Sequence, residues 1–405
     1  MRRCDARAAA HPGQPLKRPG TLSASGALYG AYFVSWALLM TYMPLWYQSL
    51  GLSLLSIGLL MSIPSWTRLF ASFAWGALAD RSGRQVPLMR LAALLSLVAA
   101  CSFAFVQSQT GLLALMTFAL YIFNAAFMPL TDTVVVAELS TAGGGVDARR
   151  YGRVRLWGSL GYLLAVLGFG WLFDRLGLTS FVPLLLLSLA LLLAVSWLMP
   201  NRKLAVQAHE PSPPLREVLA KPVVRWFLAG IFLTVLAHQA LYSFFSLYLA
   251  AQGHDKTMVG VLWGVGVVAE IAWFALQGRM MERGTIHHWL TGTALASAAR
   301  FALTAAFGAQ LWVLVLVQLG HAMTFAAQHL ACVALINRHF PGRLRGRGQA
   351  LYLVIGYGLS GVIGAIGGGW LVSVWELSSV FWAASLAALG GAWCCWRSQK
   401  AQALA

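Results

Sequence analysis

IGLLMSIPSWTRLFASFAWGALADR, residues 57–81, falls without a gap on VGVLWGVGVVAEIAWFALQGRMMER, residues 259–283. Under this offset Gly58 meets Gly260, Leu60 meets Leu262, Gly76 meets Gly278, Asp80 meets Glu282 and Arg81 meets Arg283. Repetition at a fixed spacing marks a chain built twice from one plan. Each copy is an apolar run long enough to cross a bilayer as a helix, ending in a charged turn. Each also carries one ionisable residue at the same depth, Arg68 in the first copy and Glu270 in the second.

The rest of the chain extends the pattern. Hydrophobic residues make up 59% and charged residues only 10%, far from the balance of a soluble domain. Twelve apolar runs can be read near 26–48, 55–79, 87–106, 112–136, 154–173, 181–199, 226–250, 258–278, 288–308, 311–335, 349–373 and 377–396. The Pro-rich, charged segment 200–225 separates the sixth from the seventh, as a linker would. The expectation is an all-α polytopic membrane protein of twelve transmembrane helices in two pseudo-symmetric six-helix bundles. The first bundle spans 26–199 and the second 226–396, with tails at 1–25 and 397–405. Two similar halves are the plan of a transporter whose site lies between them at mid-bilayer.

A net charge of +17 raises nucleic acid as a partner, but the placement of the charges argues otherwise. Of 29 Lys and Arg, 25 fall in the two tails and the alternate loops on their side. The opposite loops hold Arg175 and Lys256, and Arg68 and Arg300 are inside spans. By the positive-inside rule both termini are cytoplasmic, and the basic excess reports topology. The first 25 residues lack an apolar signal-peptide core, so the first span is expected to remain. Five cysteines at positions 4, 101, 332, 394 and 395 have no metal-ligand spacing, so neither a disulfide framework nor a metal or cofactor site is expected.

GALADRSGR, Gly76 to Arg84, resembles the cytoplasmic loop signature of the major facilitator superfamily, with Gly76, Asp80, Arg81, Gly83 and Arg84 as its fixed points. GRMMERG, with Gly278, Glu282 and Arg283, resembles an eroded second copy. An Asp at a helix end, offered to basic groups and helix amino termini, can latch one conformation and be released in another. PLTDTVVVAE (129–138), YGRVRLWGS (151–159), GVVAE (266–270) and AARF (298–301) resemble the phenylpropionate permease branch, which is related to lactose permease and the nucleoside/proton symporters. The resemblance implies a monomer in a bacterial inner membrane that imports a 3-phenylpropionate-like aromatic acid by proton symport. It implies no enzyme activity.

His238, Glu270, Arg300 and His321 each lie near the middle of one of four consecutive spans, the seventh to the tenth. An ionisable group at the bilayer centre costs about 2.5–3.5 kcal/mol on insertion scales, so these groups are expected to face an aqueous cavity or one another. Glu270 beside Arg300 would be ionised, and in a dry pocket it would hold a proton. A carboxylate that exchanges these surroundings carries protons, whereas a fixed Glu270–Arg300 pair would only set helix register. His321 would relay protons or bond a neighbouring helix, with Thr324 and Gln328 beside it on the same stripe. In lactose permease, by resemblance, Glu, Arg and His on the same three helices take part in coupling. A further carboxylate of its tenth span has no counterpart here, where Thr324 and His329 stand.

In the first half Arg68 and Asn124 are central in their spans, and Asp132 lies nearer the cytoplasm as a second candidate for proton coupling. Arg68 suits a substrate carboxylate, as does Arg300; the alternative for Arg68 is a pair with Asp132. Arg153 and Arg155 read as interfacial anchors. Tyr29, Tyr32, Phe33 and Trp36 share a helix face, as do His238 and Tyr242; such faces stack on an aromatic substrate or pack against lipid and protein. A drug or metabolite antiporter on the same fold is the alternative, although the fifth span lacks the Gly-Pro pattern of the superfamily's antiporters. A membrane-embedded enzyme is a remote third reading, without clustered acidic ligands to support it.

Overall fold

The computed structural model describes residues 19–140, 147–201, 215–281 and 284–404. Among the described residues, twelve helices are long and apolar enough to cross a membrane: α1 Leu22–Ser49, α2 Leu54–Ser82, α3 Gln85–Val106, α4 Thr110–Leu139, α5 Arg149–Leu176, α6 Leu178–Ser196, α7 Pro222–Ala251, α8 Lys256–Gln277, α9 Ile286–Phe307, α10 Leu311–His339, α11 Arg345–Val374 and α12 Ser379–Ala403. The number agrees with the sequence reading, but several helices are longer than the apolar runs. The last is the clearest case. Beyond the expected end at 396, Arg397 lies over the rings of Trp226 and Trp393, and Lys400 over Trp396. Apolar content marks the hydrocarbon layer, while the backbone stays helical through the interface, where long cations reach the polar layer. The end of the linker is likewise partly helical, with a short helix at Arg216–Ala220 and Pro222 in the first turn of α7. The φ of Pro is already set for that position.

Helices α1 to α6 pack among themselves through α1 against α5 and α6, α3 against α4 and α6, and α2 against α4. In the second half α12 packs on α7 and α9, and α10 on α8 and α9. Two principal seams join the halves, α2 with α11 and α5 with α8. Moving each helix six places along the chain exchanges these two seams, so the repeat that pairs α2 with α8 also pairs the seams.

Glycines set how closely the seams approach. A Cβ on Gly58 would lie 2.6 Å from the Ala365 carbonyl oxygen and 2.7 Å from the Gly369 Cα, and one on Gly260 would overlap the Val166 carbonyl. Only a residue without a side chain permits backbones this near. At the same end Tyr42 donates to the Val166 carbonyl at 2.5 Å. Asp174, ending α5, accepts from the backbone N–H of Lys256 and Thr257 at 3.0 and 2.7 Å and from the Thr257 hydroxyl at 2.5 Å. A carboxylate on the first turn of α8 satisfies donors that no helical carbonyl reaches. The halves are thus locked together at the end away from the termini.

The signature at the other end of α2 is arranged differently. Gly83 has φ 65° and closes the helix by donating to the Ala79 carbonyl at 2.8 Å, a left-handed position that favours glycine. Asp80, Arg81 and Arg84 are exposed, and Asp80 has no hydrogen-bond or ion-pair partner among the described residues. A Cβ on Gly76 would meet nothing within 4 Å. In the second copy Gly278 lies where α8 continues as helix to Met281, while Glu282 and Arg283 are outside the described residues.

Around mid-membrane several helices depart from regular α geometry. Leu38–Tyr42 in α1, Ala322–Ala327 in α10 and Tyr352–Leu359 in α11 are π-helical. Pro64 interrupts the hydrogen bonding of α2. Such irregularities collect at functional sites, because they turn side chains off the regular helical face.

Candidate functional site

The polar core of the second half is organised by Arg300, which is 4% exposed. Its Nε donates to the Val317 carbonyl at 2.6 Å, Nη2 to Gln318 Oε1 at 2.7 Å, and Nη1 to Thr324 Oγ1 at 3.2 Å and His321 Nδ1 at 3.1 Å. Gln318 in turn donates to the Leu262 carbonyl at 3.0 Å, tying α10 to α8. A guanidinium only donates, so His321 Nδ1 accepts and the neutral ring carries its proton on Nε2. That Nε2 lies 2.8 Å from Glu270 Oε1.

This corrects the direct Glu270–Arg300 pair expected from sequence: His321 stands between them. Four of the five N–H donors of Arg300 serve neutral acceptors. Periodicity gives the depth of such residues but not which neighbour each faces.

The first half presents a different cation. Arg68 is half-buried and among the described residues has no ion pair or hydrogen bond, its guanidinium lying 5.8 Å from the Tyr357 ring centre. It borders two adjoining cavities. One, about 260 Å³, lies within the first half and is also lined by Tyr32, Trp36, Tyr121 and Asn124. The other, about 210 Å³, lies between the halves and adds Gln239, Tyr242, Phe325 and Tyr357. Asn124 is buried, and its Nδ2 has no partner. Two donors from α2 and α4 therefore border one aromatic-walled space.

Asp132 is not paired with Arg68. It accepts from the hydroxyls of Tyr29 and, at 3.1 Å, Tyr151. Tyr29 is thereby buried at that carboxylate and does not line the described cavities, unlike the other aromatics of its face: Tyr32 stacks on Trp36 with 6.0 Å between ring centres, and Phe33 and Trp36 are cavity walls.

Arg155, expected from sequence at the interface, has its guanidinium 4.4 Å from the Phe33 ring centre and lines a third cavity with Tyr162, Glu270 and His321. The signal was present in sequence. Tyr151, Arg155, Ser159 and Tyr162 form one stripe at helical spacing, whereas Arg153, two residues before Arg155, falls on another face and is exposed. His238 donates from Nδ1 to the Thr234 carbonyl at 2.8 Å, its ring edge-on to Phe301. Tyr242 borders the central cavity, and Gln328 a small void beside it. His329, left without a role from sequence, bonds the Tyr352 hydroxyl at 2.8 Å.

Residues 25–384 match the MFS_1 like family. The chain is 30% identical over 363 residues, 89% of its length and 93% of the relative's, to the "Probable 3-phenylpropionic acid transporter" of Escherichia coli (strain K12). It is 27% identical over 353 residues, 87% of its length and 86% of the relative's, to the "Maltose permease" of Geobacillus stearothermophilus. The crystal structure of the nucleoside transporter NupG superposes with a TM-score of 0.80 at 16% identity, covering 94% of this chain and 99% of that one. A peptide transporter of the POT family, solved with sulfate, gives 0.75 at 14% identity, covering 97% and 95%. The likeness to these structures concerns the fold, a scaffold that serves several substrate classes. With twelve spans, two joined halves and a polar centre between them, the chain belongs to the MFS_1 like family and is a secondary transporter of the major facilitator fold that moves a small molecule across a membrane.

Proposed function

We propose that this transporter imports a small organic anion, of the 3-phenylpropionate class, together with a proton, as a monomer in a bacterial inner membrane with both termini cytoplasmic. The observation that carries the reading is the placement of two charged groups on neighbouring cavities that share the walls Trp36, Met40, Tyr242 and Phe325, Arg68 on one and Glu270 on the other. Arg68, with Asn124, receives the carboxylate, and Glu270 receives the proton. Arg68 has donors to spare, and a guanidinium fork matches a carboxylate. Glu270 faces a cavity with its side chain 22% exposed and accepts from a neutral imidazole. A carboxylate held this way takes up a proton on its other oxygen without breaking its contact with His321. The 3-phenylpropionic acid transporter named above supports the aromatic acid, as do the cavity walls of Trp36, Tyr121, Tyr242 and Phe325.

The test is the external pH of lightly buffered, energy-depleted cells expressing the protein, followed after addition of 3-phenylpropionate. The expected result is substrate-dependent alkalinisation that is abolished in Glu270→Gln, while exchange of labelled for unlabelled substrate survives. Alkalinisation unchanged in Glu270→Gln would remove Glu270 as the carrier, and uptake without any pH change would refute proton symport.

A further inference from the structure

We infer that the cavity takes an aromatic carboxylate bearing a hydroxyl at the end remote from its carboxylate, with His238 Nε2 as the acceptor of that hydroxyl. The inference rests on the anion reading above and specifies its ligand.

Its starting point is an unmatched atom. The Thr234 carbonyl can only accept, so the 2.8 Å contact fixes the His238 proton on Nδ1 and leaves Nε2 a lone-pair acceptor. The residue is 3% exposed, and Nε2 has no partner. A buried acceptor left open costs about 1–3 kcal/mol, so its persistence calls for an explanation.

The surroundings supply one. His238 lines a void of about 10 Å³ together with Tyr242, Thr324, Phe325 and Tyr357. Tyr242, Phe325 and Tyr357 are also walls of the central cavity that Arg68 borders. The void is too small for a ring; a single oxygen is about the size it admits. Three of the neighbouring polar residues already have partners, while the Tyr242 hydroxyl and the Gln328 amide, which also line the void, make no hydrogen bond among the described residues. His321 is held on both nitrogens, Thr324 receives Arg300, and Tyr352 stands between His329 and Tyr357.

The polarity of the space then matches one kind of ligand. Donors stand in the first half, at Arg68 and the unpartnered Asn124 Nδ2, and an open acceptor stands in the second, at His238. Aromatic walls lie between them at Trp36, Tyr242 and Phe325. A flat molecule with an anion at one end and an O–H at the other satisfies both sets at once. It would also connect the two halves, whereas a ligand without the hydroxyl would engage mainly the first.

The experiment uses purified full-length protein and calorimetric binding of 3-phenylpropionate, its three ring-hydroxylated isomers, and the methoxy analogue of whichever isomer binds best. One isomer is expected to bind about 10-fold tighter than the parent acid, as one hydrogen bond that satisfies a buried group provides. The methoxy analogue cannot donate and is expected to lose that gain. In His238→Phe the ratio of isomer to parent is expected to fall to near one. Equal binding of the parent and all three isomers overturns the inference and leaves the anion reading standing. So does a gain retained by the methoxy analogue or by His238→Phe. Binding of no carboxylate overturns both. If His238→Phe does not fold, the comparison of hydroxyl with methoxy in the unaltered protein still decides.

Discussion

His321 donates from Nε2 to Glu270 Oε1 across 2.8 Å, and it does so because Arg300 occupies its Nδ1 at 3.1 Å. The buried cation thus reaches the carboxylate only through a neutral ring whose proton position it dictates. Glu270→Ala would leave the His321 Nε2–H without its acceptor, whereas Glu270→Gln would keep a carbonyl there. The alanine variant is expected to be about 1 kcal/mol less stable than the glutamine variant, the low end of the cost for a group that a cavity can hydrate. Melting of the two purified proteins in the same detergent checks this. Equal melting temperatures would mean that the contact does not order the site.

Arg300→Lys is expected to behave as a loss. Lysine places one compact ammonium where a planar fork now serves Val317, Gln318, Thr324 and His321, and the two cations are not interchangeable at such a site. With three donors for four acceptors, at least one buried acceptor loses its donor, with a penalty of about 1–3 kcal/mol. The melting temperature should fall by several degrees and the yield of folded protein with it. A lysine variant as stable as the parent would show that the fork geometry is not needed.

Arg68→Gln should separate stability from binding. Because Arg68 gives no hydrogen bond to the described residues, its removal takes away an uncompensated charge at mid-membrane. The melting temperature is expected to stay level or rise, while affinity for an aromatic carboxylate falls at least about 10-fold, as for a lost charge-assisted contact. Reduced stability with unaltered affinity would assign Arg68 to packing instead.

Gly58→Leu should pry open the end of the molecule away from the termini, since the new side chain meets the Ala365 carbonyl and Gly369 backbone. Spin labels on the facing ends of α2 and α11 should report a longer mean distance than in the unaltered protein. Asp174→Ala, which uncaps α8 at the other seam, should shift the same equilibrium in the same direction by a smaller amount, several-fold in population, as for a lost helix cap. Unchanged distances in both variants would show that neither seam controls closure.

The features legible in the sequence were those that depend on depth. Twelve spans follow from the length of apolar runs, and the glycines of both seams were visible as Gly58 and Gly260 in the repeat. Direction was harder to read. Between Met258 and Leu276 the only charged or polar side chain of α8 is Glu270, so its periodicity assigns the carboxylate a depth and no neighbour. For that reason the sequence pairs Glu270 with Arg300 by depth alone, and the intervening ring of His321 depends on the packing of α9 against α10. Tyr29 and Tyr32 show the same limit. Three residues apart on α1, one holds Asp132 and the other borders a cavity, because the helix turns between them at the junction with α4 and α5.

The two seam glycines have partners at the other ends of their helices. In α2, Gly58 and Gly76 are 18 residues apart, and in the second copy Gly260 and Gly278 are separated by the same interval, about 27 Å of helix. One glycine of α2 is pressed against its neighbour while the other faces open space, and a helix glycine that touches nothing costs about 1 kcal/mol relative to alanine. A rod that gives up contact at one end to gain it at the other swings about its middle. The midpoints of these intervals are residues 67 and 269, each one place before Arg68 and Glu270. The two charges therefore sit at the middle of their helices, where a swing of either end would leave the spacing between Arg68 and Glu270 nearly unchanged.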